Sequence, residues 1–332
     1  MLTLALLLAA ADPAKGDFQV FGDWAVACDN LRACEMTSLL GDPADWPDDG
    51  PLTASIARDA GPQGGFTVEV DADKTTGALA LNIDDKPVAH SVSKESSVRF
   101  GGADAARIVA ALANGKTLTL SQGPLTILTV SLAGSSAALR FIDAGQGRAG
   151  TVTAAVAKGS KPASAVPAGN AAPRIAAQRA SGVAASVSVA MRAEMAKLSG
   201  CDEADTDNDT TMKVDTFALG GGATLALLPC GSGAYNLNTV PFILRGGKAQ
   251  PADIDYSGDG SGEAAMLTNA WWDAKASTLS THAKGRGLGD CGEDATYVWD
   301  GKGFWMIELR RMDECRGSVH WLRTWKAEAV YR

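Results

Sequence analysis

Histidine is scarce in this chain of 332 residues, which holds only His90, His282 and His320. None forms His-x-His or His-Glu-x-x-His, and there is no Gly-x-Ser-x-Gly elbow, so the usual signatures of zinc peptidases and α/β-hydrolases are missing. Long apolar runs are lacking too. Beyond the leader at residues 1–11, no stretch reaches the length of about twenty apolar residues that a spanning helix needs, so no transmembrane segment is expected. Positive charge is in short supply: the net charge of −8 argues against a nucleic-acid partner. Cys-x-x-Cys pairs are absent, and no histidine stands at ligand spacing from a cysteine, which argues against zinc.

What is present is a set of six cysteines, Cys28, Cys34, Cys201, Cys230, Cys291 and Cys315. They fall into neighbouring couples, so sequential pairing is expected, although many connectivities are open to six cysteines. On the loop-entropy view the first bridge is worth about 2.4 kcal/mol and the two longer ones about 3.5 kcal/mol each. Disulfides imply an oxidising compartment. The opening residues MLTLALLLAAA, ending in Ala9-Ala10-Ala11 before Asp12-Pro13, resemble a secretory signal. The sequence is therefore read as a periplasmic protein with a signal peptide and lead-in over residues 1–16.

Composition divides the remainder. Residues 156–182 contain Pro162, Pro167 and Pro173, many alanines, four bases, no acid and no aromatic, as a semi-extended linker would. It is expected to join a β-rich domain with one helix (17–155) to a disulfide-bonded antiparallel β domain opened by a short helix (183–332).

In the first half, residues 18–28 alternate like one half-buried strand, and residues 34–39 can return beside it in a hairpin closed by Cys28 and Cys34. Further strands are expected at 66–70, 78–83, 117–121, 126–132 and 139–143. A helix with Asp104 as N-cap, Ala105, Ile108, Val109 and Leu112 on one face, and Gly115 as its stop lies between them.

The second half begins with Val187, Met191, Met195 and Leu198 at helical spacing. Strand-like runs follow at 223–230, 241–244, 264–272, 277–283, 296–299, 303–310 and 319–325. Asp300-Gly301 supplies the signal for a type I′ hairpin. The fold class is thus mainly β with few helices: two antiparallel sandwich or roll-like domains.

Several residues together resemble a known family. Phe21-Gly22-Asp23-Trp24 with Cys28, the segment Gly285-Arg286-Gly287-Leu288-Gly289-Asp290-Cys291-Gly292, Trp299-Asp300-Gly301, Phe304 and Cys315-Arg316-Gly317 are similar to the bacterial exported family called domain of unknown function 1176. The first half also resembles the invasion-associated locus B proteins, through Gly-Asp-Trp-x-Val-x-Cys and the turn at Leu81-Asn82-Ile83-Asp84-Asp85. Neither resemblance implies catalytic residues.

Candidate sites come from the residues themselves. Trp271 and Trp272 are adjacent, so on a strand only one can enter a core, and the other is a candidate aromatic anchor for sugar or peptide. Arg310, Arg311, Arg316 and Arg323 could flank such a surface. Residues 201–300 carry fifteen acids and six bases, whereas 302–332 carry seven bases and four acids; the basic tail is expected to fold back on the acidic part of its own domain.

Asp255, Ser257, Asp259 and Glu263, with Gly260 in the sixth place, form a weak calcium candidate, but Met266 stands where a closing glutamate belongs. Asp205, Asp207 and Asp209 lack both the glycine and the glutamate of such a loop. No other cofactor is expected.

The sequence thus points to an uncharacterised exported protein that binds an envelope protein or glycan rather than one that catalyses. An envelope hydrolase with an interdomain site and a purely structural component are the alternatives. His282 or His320 beside a carboxylate in an open pocket would favour the hydrolase, and an exposed Trp–Arg groove the binding protein.

Overall fold

The computed structural model describes residues 17–41, 46, 52–72, 75–93, 95–201, 213–255 and 265–332. The leader therefore lies outside the described residues, as do the 205–209 loop and Ser257, Asp259 and Glu263 of the calcium candidate.

Eight strands open the chain: β1 (Phe18–Phe21), β2 (Trp24–Cys28), β3 (Cys34–Ser38), β4 (Ala54–Arg58), β5 (Phe66–Asp71), β6 (Gly77–Ile83), β7 (Lys86–Ser93) and β8 (Ser97–Phe100). Helix α1 (Gly102–Leu112), β9 (Thr117–Gln122), β10 (Leu125–Ser131) and α2 (Ser135–Gly145) complete the first half. The strands make a six-stranded antiparallel sheet, β1-β2-β3-β4-β5-β8, and a four-stranded one, β10-β9-β6-β7. Trp24, Met36, Ile56 and Val68 of the first sheet share one core with Leu81 and Leu120 of the second and with Ile108, Leu139 and Ile142 of the helices.

The expected strand over 18–28 is instead a hairpin. Gly22 turns the chain at φ +57°, and a Cβ there would stand 2.7 Å from the Ala133 carbonyl oxygen, so only glycine fits the turn. Cys28 and Cys34 are direct register partners and form the expected bridge.

The run 139–143 is helical rather than extended. Ala138, Leu139 and Ile142 are its buried apolar residues, a three-and-four spacing that a five-residue window disguised as a strand. Helix α1 buries the expected face, but its N-cap is Gly101 and its C-cap Ala113; Asp104 sits in the first turn, where it favours the helix dipole.

The second half comprises β11 (Arg174–Ala177), α3 (Val189–Ser199), β12 (Asp215–Gly220), β13 (Ala223–Ser232), β14 (Leu237–Arg245), β15 (Lys248–Pro251), β16 (Leu267–Thr268), β17 (Trp271–Asp273), β18 (Thr278–Lys284), β19 (Gly292–Trp299), β20 (Phe304–Met312), β21 (Leu322–Lys326) and β22 (Glu328–Tyr331). One sheet runs β12-β13-β14-β15 with β16 beside β14, and the other β17-β18-β19-β20-β21. Leu225, Leu227, Leu279, Tyr297, Trp299 and Leu309 fill the space between them. Helix α3, capped by the Ser188 hydroxyl, closes the far side of β13 and β14 through Met195.

The expected strand 264–272 is broken at Asn269, which adopts φ +47°. Its side chain accepts from the Leu237 amide and donates to the His282 carbonyl, replacing ladder bonds with side-chain ones. The β19–β20 connection is longer than a two-residue type I′ turn: Trp299 pairs with Phe304, and the Asp300 carboxylate receives the Lys302 and Gly303 amides.

The Ala/Pro stretch 156–182 is docked rather than solvated. The Asp143 carboxylate receives the Ala155, Val156 and Ala157 amides, Val166 is buried, and β11 pairs in parallel with β22. Backbone hydrogen bonding anchors a segment whose side chains offer little apolar area. Among the described residues, no helix is long and apolar enough to cross a membrane.

Candidate binding cleft

The outer faces of two sheets, one from each half, meet at an angle that leaves a cleft of about 550 Å³. Period-two alternation creates both walls, because each strand that sends one set of side chains into its own core turns the other set outward. On the first half, Thr37, Ser55, Glu69 and Arg99 form one cross-strand row over β3, β4, β5 and β8. Glu35, Ala57 and Thr67 form the next. On the second half the facing row is His282, Asp294 and Arg310 over β18, β19 and β20. His320 and Trp321, just before β21, close one side.

An apolar contact seals the base of the cleft. Ala25, Ala27 and Leu39 of the first half pack with Cys291, Met312, Trp321 and Leu322 of the second. Asp290 sets the loop geometry there: its buried carboxylate accepts from Arg286 Nε at 2.8 Å and from the Gly317 amide at 2.7 Å. Burial would push this carboxyl up, but Arg286 and the Gly317 amide together hold it below its ordinary value. Gly292 has φ +137°, and a Cβ there would come within 1.9 Å of the Ala283 oxygen. In the Gly-x-Gly-x-Gly segment, a Cβ at Gly285 would stand 2.8 Å from the Cys291 sulfur and Gly289 adopts φ +69°, so these two glycines set the backbone beside the Cys291–Cys315 bridge.

Above that seal the walls are tied by charge. Arg310 donates to Glu35 at 3.0 Å and to the Trp321 carbonyl oxygen at 2.8 Å, and it also holds Glu308. Arg323 reaches Asp29 at 2.8 Å, and Arg316 reaches Asp23 at 2.7 Å. His320 Nε2 meets Asp71 Oδ1 at 3.2 Å, while Asp71 Oδ2 accepts from the Thr53 amide and hydroxyl at 2.8 and 3.0 Å. In each of these cross-half pairs the first half supplies the acid and the second the base. The basic tail therefore engages the other half, and among the described residues only Glu308 and Asp313, both within β20 or next to it, pair with it locally.

Burial lowers the His320 imidazole, yet the Asp71 hydrogen bond and the charges of Asp71, Glu69 and Glu35 outweigh it and raise the ring above its ordinary value. Burial likewise raises Asp71, and His320 and Thr53 more than reverse this, so that its carboxyl lies below the ordinary value. A second imidazole–carboxylate pair links His282 Nδ1 to Asp294. The His282 ring lies flat on Trp321, with centroids 4.8 Å apart and an interplanar angle of 11°.

The expected Trp–Arg surface does not assemble as one patch. Trp272 is 7% exposed and belongs to the core, whereas Trp271 is 49% exposed on the edge strand β17. Arg310 lies three strands away, about 14 Å across the sheet. Arg310, Arg316 and Arg323 are engaged in the cross-half pairs, and Arg311 holds Asp313. Asp255, the described member of the calcium candidate, donates its amide to the Phe304 carbonyl. No group of three or more acidic, histidine or cysteine side chains suited to a metal occurs among the described residues.

Sequence reasoning missed Glu35, Glu69, Asp71, Arg99 and Asp294. The available signal was weak: Glu69 and Asp294 occupy outward positions of alternating strands, which look the same whether water or another sheet faces them.

These features define a class first: an antiparallel β protein of stacked sheets, stapled by three disulfides, with a charged cleft where its halves meet. Residues 18–328 match the family described as protein of unknown function (DUF1176), and the chain belongs to that family. It is 29% identical over 334 aligned residues to the uncharacterized protein YpfG of Escherichia coli (strain K12), covering 92% of each chain. Among solved structures, it is similar to invasion associated protein b from Bartonella henselae, at 19% identity and a TM-score of 0.30, over 39% of this chain and 98% of that one.

Proposed function

We propose that this is a periplasmic binding protein of two β-rich domains, exported by its N-terminal leader, that holds a small polar ligand in the cleft between them. The cleft itself carries the reading: about 550 Å³, walled by polar side chains from both halves, is the size and position typical of a small-molecule site. Its chemistry suits directional hydrogen bonding. Glu69 and Arg99 are cross-strand neighbours, and Arg99 makes no ion pair among the described residues. An envelope glycan or protein segment is the partner class in view.

The test is a thermal-shift screen of metabolites and envelope fragments on the disulfide-bonded protein, followed by calorimetry with Arg99→Gln and Glu69→Gln. A ligand whose affinity drops about tenfold or more in both variants, with folding intact, supports the cleft. Ligands indifferent to both substitutions would remove it.

The imidazole–carboxylate pairs favour a second reading, the envelope hydrolase. His282 and His320 each hold a carboxylate on one ring nitrogen, and their other nitrogens make no hydrogen bond among the described residues. Such a ring can take a proton from water. Product formation from a cleft ligand, abolished by His282→Gln or His320→Gln while binding persists, would decide for catalysis.

A further inference from the structure

We propose that the ligand of the cleft is an oligosaccharide and that Trp271 is the platform on which one of its rings stacks, an inference that rests on reading the cleft as a binding site. Register places this residue. Trp271 pairs with Ser280, Ser280 with Thr296, and Thr296 with Glu308, forming one outward row over β17 to β20. The next row, two residues along the strands, is His282, Asp294 and Arg310, the wall of the cleft. The same sheet face therefore runs from the cleft to Trp271 without changing side. From Trp271 to Asp294, two strands over and two residues along, the backbone distance is about 12 Å. That length suits a short chain of sugar rings better than a single one.

The chemistry along this path is that of sugar recognition. A pyranose offers an apolar C–H face and a rim of hydroxyls, each of them both donor and acceptor. The half-exposed Trp271 indole presents a rigid apolar face, and its neighbour Trp272 locks the strand into the core. Between indole and cleft lie the Ser280 and Thr296 hydroxyls, which meet each other at 3.4 Å, whereas Glu308 stands at the far end of the row and is held by Arg310 and Lys326. Inside the cleft, Glu69, Arg99, His282 and Asp294 supply planar groups that can meet neighbouring hydroxyls. The Trp271 indole makes no ring contact and no side-chain hydrogen bond among the described residues, and half of the residue is open to solvent.

The experiment applies the purified, disulfide-bonded protein to an array of bacterial and host oligosaccharides and measures hits by calorimetry and tryptophan fluorescence. Wild type, Trp271→Ala, Trp271→Tyr and Arg99→Gln are compared. The expected result is a bound oligosaccharide whose affinity falls about tenfold or more in Trp271→Ala, is largely kept in Trp271→Tyr, and also falls in Arg99→Gln. An empty array, or a bound saccharide indifferent to Trp271→Ala, overturns the proposal. The two readings fail separately. A ligand of any class that loses affinity in Arg99→Gln but ignores Trp271→Ala leaves the cleft standing and removes the platform.

Discussion

Asp143 and Asp71 each join a base to distant chain, but in opposite surroundings. Asp143 is fully buried in the first half, where it meets Arg58 at 3.2 Å and receives three successive amides from residues 155–157. Arg148, also fully buried, caps the same network through Gln146 and the Gly61 carbonyl. Asp71 is partly exposed and reaches across to His320 of the second half. The first arrangement has no route to solvent and serves only to hold the chain after α2. The second keeps contact with water and borders the cleft through His320. Burial, more than the kind of charge pair, separates scaffold from site in this molecule.

The sharpest way to test that contrast is to remove the buried acid. Asp143→Ala leaves Arg58 buried without its counter-charge and three amides without an acceptor, and is expected to cost about 3–5 kcal/mol. Chemical denaturation followed by circular dichroism measures it, and a loss below about 1 kcal/mol, typical of surface pairs, would erase the distinction.

Next in size is the Cys291→Ser/Cys315→Ser double variant. The bridge spans 24 residues and lies at the apolar seal, so its loss is expected to lower stability by about 3.5 kcal/mol on the loop-entropy model. Removing the six-residue Cys28–Cys34 bridge should cost less, about 2.4 kcal/mol.

The Asp71–His320 pair predicts a pH signature. Because His320 is raised, its contribution is complete below the ordinary imidazole value near 6.5 and is lost as pH climbs through the raised one. Because Asp71 is lowered, its contribution is present above 3.8 and is lost as pH falls through the lowered value. Wild type should therefore gain about 1–2 kcal/mol over Asp71→Asn between these limits, and the gap should narrow as pH climbs through the raised His320 value, down to what the Thr53 hydrogen bonds contribute. Parallel curves would show that the pair adds nothing across the halves.

The smallest effect is expected at Glu35–Arg310, whose side chains keep part of their exposure. A double-mutant cycle with Glu35→Gln and Arg310→Gln should return a coupling below about 1 kcal/mol in stability. A value of several kcal/mol would place this pair with Asp143.

Much of the framework was legible. Sequential pairing of the cysteines was the expectation among the many connectivities open to six, and the three bridges have it. The face of α1 and the core strands at 66–70, 78–83 and 117–121 were visible in periodicity. Run 139–143 was misread because five residues cannot separate a buried helix turn from a strand. The breaks at Gly22 and Asn269 depend on contacts with Ala133 and Leu237, far away in sequence. Trp271 and Trp272 were correctly divided between surface and core by alternation alone.

The cleft shows where such reading stops. Glu35, Glu69, Arg99 and Asp294 were ordinary outward residues of four separate strands until the sheets were laid face to face. A strand's two-residue period states which side chains share a face, a local property that sequence alone determined, whereas the cysteine spacing favoured one pairing that the folded chain then fixed. Whether a face meets water, a neighbouring sheet or a ligand depends on how two preformed layers dock. That docking was decided by the apolar seal from Ala25 to Leu322 and by acids of one half meeting bases of the other, contacts between segments more than 240 residues apart.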